Sequence, residues 1–162
     1  MQMWTFKTAD DVSINVREMG EGRPVILLHG YFSEADTNWI KYGHAKLLAD
    51  AGFRVIMPDL RAHGLSDKPH DPAHYPKDIL ADDQFALIDQ LGLSDFDLCG
   101  YSLGGRTVAR MLAKGCRPRR VVISGLRENT YVAELLIYRG GEVFEVDARP
   151  SDSIALALRM HA

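Results

Sequence analysis

Gly100-Tyr101-Ser102-Leu103-Gly104 is the stretch that decides the fold of this chain. It follows the apolar run Phe96–Cys99 and opens a helix-like segment, Leu103–Lys114, that Gly115 closes. A G-x-S-x-G pentapeptide between a strand and a helix has a specific physical meaning. The chain turns so sharply that the residue at the apex is strained, and its side chain projects away from the sheet. Glycines two positions either side let strand and helix backbones approach without a Cβ between them. The helix N-terminus adds unpaired N–H groups and the positive end of a dipole. Ser102 is therefore the candidate nucleophile, and the Leu103 N–H is the expected first donor to an oxyanion.

Outward from this turn, β-like and helical segments alternate. Met3–Lys7 and Val12–Glu18 are strand-like and separated by Asp10-Asp11. Val25–Leu28 and Phe53–Met57 are continuous apolar runs of strand length, as expected for strands buried on both faces of a parallel sheet. A helix is expected over Trp39–Ala51, stopped by Gly52. Another is expected after Pro76, carrying Leu80, Phe85, Leu87, Ile88 and Leu91 inward and ending at Gly92. Val121–Ser124 reads as a further strand. These βαβ units predict an α/β fold of three layers with a mostly parallel sheet. Beyond about residue 127 the rhythm changes. Thr130–Tyr138 and Glu142–Asp147 flank Arg139-Gly140-Gly141 as a β-hairpin, and a short helix from Ile154 to about Met160 follows Ser151 or Asp152 as its cap.

Composition narrows the class of protein. The 162 residues are 46% hydrophobic and 25% charged, with a formal net charge of −3, the balance of a globular domain rather than of a nucleic-acid or membrane binder. Residues 106–120 carry Arg106, Arg110, Lys114, Arg117, Arg119 and Arg120 without an acid. Arg106, Arg110, Lys114 and Arg117 recur at helical spacing opposite Val108, Met111 and Leu112, which reads as a solvated helix face. Cys99 and Cys116 cannot form a disulfide framework, so a reducing, cytoplasmic setting is expected. No signal-peptide h-region or membrane span is visible.

Residues 1–125 resemble the N-terminal half of the α/β-hydrolase superfamily. Besides the elbow, His29-Gly30 matches its oxyanion turn, and the run from Pro58-Asp59-Leu60-Arg61-Ala62-His63-Gly64 to Leu65-Ser66-Asp67-Lys68-Pro69 resembles the loop after its fourth strand, with Ala62 where glycine is usual. The resemblance implies a carboxylesterase-like serine hydrolase acting on a small-molecule ester or related acyl substrate, with neither cofactor nor metal. It makes the Tyr31 N–H the second oxyanion donor and gives His29 and His63 loop-shaping roles. His70 and His74 are read as solvent-loop residues, and Cys99 as a small buried side chain. A serine at the elbow sets the chain apart from relatives that use a carboxylate there. In this superfamily an acid and then a histidine follow the serine in chain order. Glu128 stands where some members carry the acid, and His161 is the only histidine beyond residue 125, but neither has a motif around it. The acid and base of the triad are left unassigned, and the cap segment of the family has no counterpart.

Leu126–Leu135 and Val146–Leu158, including Asp147-Ala148-Arg149-Pro150-Ser151-Asp152, resemble the bifunctional nuclease family. The division expected is therefore 1–125, a partial hydrolase-like core, and 126–162, a nuclease-like hairpin–helix fragment packed on or extending the sheet. Asp147, Arg149 and Asp152 could contribute to a metal-dependent phosphodiesterase site. Residues 127–162, however, hold four arginines against six acids, which favours structural roles for Asp147 and Asp152 as strand end and helix cap. Nucleic acid and membrane are not expected as partners. Three readings follow: a serine hydrolase, a nuclease-like or nucleic-acid-binding protein, and an inactive chimeric or truncated protein.

Overall fold

The computed structural model describes residues 1–116 and, beyond them, the backbone of three strands at 120–124, 133–139 and 142–148. In chain order, β1 (Gln2–Lys7) and β2 (Ser13–Met19) form an antiparallel hairpin, and β3 (Arg23–Leu28) enters the centre of the sheet. Helix α1 (His44–Asp50) leads to β4 (Phe53–Pro58), and α2 (Ile79–Leu91) to β5 (Asp97–Tyr101). Helix α3 (Leu103–Ala113) leads to β6 (Arg120–Ser124). The six strands run in the order β1-β2-β4-β3-β5-β6, antiparallel at β1-β2-β4 and parallel from β4 to β6.

The continuous apolar runs have the double burial expected of them. Ile26, Leu28, Ile56 and Leu98 face one core with Leu87 and Ile88 of α2 and Val108 and Met111 of α3. Their neighbours Val25, Leu27, Val55 and Met57 face a second core with Trp39, from the segment before α1, and Ala45 of α1. Strand alternation thus feeds two helical layers from one sheet. Each fully buried side chain of this size contributes about 1.5–3 kcal/mol relative to exposure.

Two helix expectations need correction. Residues 39–51 are not one helix: a π-helical turn, Asp36–Ile40, is separated from α1 by Gly43, which takes φ +80°. Nor does Pro76 open α2. Asp78 adopts φ +69° and the helix begins at Ile79, with Gly92 ending it at φ +61°.

Strands β7 (Ala133–Arg139) and β8 (Glu142–Ala148) pair as the antiparallel hairpin expected from the sequence. They form a separate two-stranded sheet, and β8 runs close to β6 without joining its ladder. The expected C-terminal helix, Glu128, Asp152 and His161 lie outside the described residues. Among the described residues no helix is long and apolar enough to cross a membrane.

Candidate active site

Ser102 lies between β5 and α3 with φ 52° and ψ −112° and is solvent-exposed. This is a sparsely populated backbone region, costing of order 1–3 kcal/mol, and it persists because packing on either side dictates it. A Cβ on Gly104 would overlap the Leu28 carbonyl, and one on Gly100 would lie 2.6 Å from the Gly105 nitrogen. The two glycines of the motif are what allow α3 to start against β3 and β5. No described side chain is hydrogen bonded to Ser102 Oγ.

The loop after β3 lies directly beside this apex. A Cβ on Gly30 would meet the Tyr101 ring at 2.9 Å and the Ser102 Cβ at 3.4 Å. Gly30 donates its N–H to Asn38 Oδ1 at 2.8 Å, so the π-helical turn fixes the course of the loop. Tyr31 is 61% exposed and its ring lies 4.1 Å from that of Phe32, itself 90% exposed. Asn38 was not singled out in the sequence, because an asparagine eight positions downstream carries no motif that ties it to Gly30.

His29 is fully buried beneath this loop. Its Nε2 accepts the Leu60 N–H at 2.8 Å, and its Nδ1 meets the Gly30 carbonyl, also at 2.8 Å. A carbonyl only accepts, so the proton sits on Nδ1 and the ring is neutral. Burial pushes its pKa below the ordinary histidine value. His29 is thus committed to joining two loops, the structural role expected for it. His63 bonds the Arg61 carbonyl through Nδ1 at 2.9 Å and stacks edge-on with the rings of His29 and Tyr31. Burial pushes the Cys99 thiol up to about 11, consistent with a packing role.

Two buried polar clusters anchor the loop that follows β4. Burial alone would raise the pKa of Asp59, but N–H groups of Leu65 and Ala35 and the Arg17 guanidinium at 2.8 Å hold it below the ordinary carboxylate value. One carboxylate thereby links β2, the loop after β3 and the loop after β4. Arg61, with no exposed side-chain surface, bonds Asp83 of α2 through Nε and Nη2 and Asp10 of the β1–β2 turn through Nη1 and Nη2. The Arg61 guanidinium holds the Asp10 carboxyl well below its usual range, whereas burial raises Asp83. His74, read from the sequence as a solvent-loop residue, joins the cluster: its Nδ1 meets Asp10 Oδ2 at 2.9 Å and its carbonyl accepts from Arg61 Nη1.

The basic face of α3 also differs from expectation. It is only partly solvated, because Arg110 Nε donates to Asp78 Oδ1 at 2.6 Å and Lys114 pairs with Asp82, fastening α3 to α2. Between the first turns of these helices and the β4 loop lies a cavity of about 360 Å³, whose walls include Tyr31, His63, Tyr75, Leu80, Leu103 and Arg106. Tyr31 and Leu103, the residues expected to supply the oxyanion donors, therefore both contribute to the wall of this cavity.

A mixed sheet with helices on both faces and a strained serine at the β5–α3 apex defines a class of protein, and comparison with known proteins agrees. The chain belongs to the alpha/beta hydrolase fold family, whose model matches residues 23–122. Residues 108–162 match the bifunctional nuclease domain, so the two matches overlap across α3 and β6, further toward the N-terminus than the sequence division at 125. The chain is 38% identical over 108 residues to the AB hydrolase superfamily protein YisY of Bacillus subtilis, covering 67% of this chain and 38% of that protein. It is 37% identical over 107 residues to the non-heme chloroperoxidase CPO-A1 of Kitasatospora aureofaciens, covering 66% of this chain and 37% of that enzyme. Its fold superposes on an esterase from Exiguobacterium antarcticum with a TM-score of 0.67 at 28% identity, covering 74% of this chain and 44% of the esterase. The chain thus spans less than half the length of each of these relatives.

Proposed function

We propose that this protein is a serine hydrolase acting on a small-molecule ester or related acyl compound, with Ser102 as the attacking residue. The observation that carries the reading is the placement of the Gly30 turn against an exposed serine at a strained strand–helix apex. Gly30 spends its N–H on Asn38, whereas among the described residues none accepts the N–H of Tyr31 or Leu103. These two donors suit the oxyanion that forms when Ser102 Oγ bonds to the acyl carbon and the carbonyl π pair moves onto oxygen. Collapse of that adduct expels the alcohol, and water then releases the acid from the serine ester.

Serine needs a proton acceptor for the first step. Among the described residues His29 is committed elsewhere and no imidazole is bonded to Ser102 Oγ. With solvent as acceptor, the oxyanion donors alone support slow turnover. Hydrolysis of 4-nitrophenyl acetate by the 162-residue chain is expected above background at a slow rate. Loss of that excess in Ser102→Ala supports the reading, and its persistence in Ser102→Ala contradicts it.

The match of residues 108–162 to the bifunctional nuclease domain favours a second reading, nuclease-like activity. Metal-dependent degradation of RNA or DNA that disappears in Asp147→Ala or Asp152→Ala would support it. If neither activity is found, the third reading, an inactive chimeric chain, is left.

A further inference from the structure

The ion pairs between α2 and α3 form a ladder that is one rung short, and the missing rung faces the cavity. Asp78 pairs with Arg110 and Asp82 with Lys114, each step being four residues on both segments. One turn earlier on α3 stands Arg106. The position four residues before Asp78 is His74, which precedes α2 and gives its Nδ1 to Asp10. Among the described residues no carboxylate pairs with Arg106, which is exposed and forms part of the cavity wall together with Leu103. The other charged groups of the wall are matched internally: Arg61 by Asp10 and Asp83, and Arg110 by Asp78. Among the described residues, then, the cavity wall presents one guanidinium without a carboxylate partner, next to largely apolar neighbours such as Tyr75, Pro76, Ile79 and Leu80. Leu103 brings that wall to the residue after Ser102.

Arg106 follows the nucleophile by one helical turn: its N–H donates to the Ser102 carbonyl at 3.0 Å. A guanidinium that lacks a carboxylate partner suits a carboxylate on a ligand, which it binds through paired N–H donors.

Resting on the reading of Ser102 as nucleophile, we propose that Arg106 anchors a carboxylate on the acyl side of the substrate, so that the site takes half-esters of short dicarboxylic acids in preference to simple alkanoate esters. Mono-4-nitrophenyl glutarate and 4-nitrophenyl valerate have acyl chains of equal length and differ in the terminal carboxylate. With the full chain, mass-detected acylation of Ser102 is expected to be about tenfold faster with the glutarate ester, the size of effect typical of a hydrogen bond to a charged group. The preference should shrink as salt is added and fall close to one in Arg106→Gln.

A wild-type ratio near one, or a ratio that Arg106→Gln leaves intact, overturns the proposal. If neither ester acylates the protein, the nucleophile reading fails, and binding decides the anchor separately. Saturation-transfer NMR with monomethyl glutarate is then expected to show contact with wild type and with Ser102→Ala, and none with Arg106→Gln. Absence of transfer to wild type, or transfer that Arg106→Gln leaves unchanged, overturns the anchor as well.

Discussion

Asn38 Oδ1 accepts the Gly30 N–H at 2.8 Å, and through this bond a residue on the π-helical turn fixes the loop that abuts Ser102. Asn38→Ala removes the acceptor without touching the nucleophile. Its expected cost in stability is about 1 kcal/mol by urea denaturation. Because a small misplacement of a donor weakens oxyanion stabilisation more than it weakens the fold, acylation of Ser102 should slow by roughly tenfold. Equal losses in the two measurements, or an unchanged rate, would show that the Gly30 turn does not depend on this bond.

Gly104 faces the Leu28 carbonyl so closely that a methyl group there has no room. The obstacle is backbone at the centre of the sheet, so neither partner can swing aside. Gly104→Ala should therefore cost about 3 kcal/mol or more, at the upper end of overpacking effects. The urea midpoint measures it against Gly115→Ala, where no heavy atom lies within 4 Å of the added Cβ and only the φ of +95° opposes the change.

Neutral His29 gives the fold a defined pH dependence. Burial lowers its folded pKa, while the unfolded chain protonates near an ordinary value of about 6.5. The stability it contributes is thus fully present above that pH and declines as pH falls toward the folded value, because only the unfolded state gains the proton. Protonating Nε2 would also displace the Leu60 N–H. The urea midpoint should drop between pH 7.5 and 5.5, and His29→Gln should lessen the slope. A wild-type midpoint that is flat over this range would contradict the assignment.

Arg61 holds Asp83, whose side chain is 2% exposed. Arg61→Ala strands that carboxyl and is expected to cost about 3–5 kcal/mol, as for other broken buried pairs. Lys46→Ala breaks an exposed pair with Asp50, more than half of each side chain being accessible, and should leave the midpoint nearly unchanged.

What could be read from sequence was what local chemistry encodes. The apolar runs at Val25–Leu28 and Phe53–Met57 announced two-sided strands, and the glycines around Ser102 announced the elbow. The break at Gly43 was missed because the apolar spacing of Ile40, Leu47 and Leu48 runs on across it, while the residue itself takes a left-handed conformation. Asp78 gave no signal either: a non-glycine residue at positive φ depends on tertiary surroundings that the local sequence does not encode. The bonds from Asp59 to Arg17 and Ala35 and from Arg61 to Asp83 and Asp10 join residues 22 to 51 positions apart, so only the folded sheet brings them together. The α3 cations read as a uniform solvated stripe, yet the acids at Asp78 and Asp82 pair with Arg110 and Lys114, and among the described residues none pairs with Arg106.

The central claim is that Ser102 is a chemically competent nucleophile at the apex of the β5–α3 turn. Intact-mass analysis of the folded chain after incubation with a fluorophosphonate tests it most directly. One adduct per chain is expected to accumulate over hours, mapped to the peptide containing Ser102, absent from Ser102→Ala and from protein unfolded before treatment. No adduct on the folded wild-type chain, or one that persists in Ser102→Ala, would contradict the account.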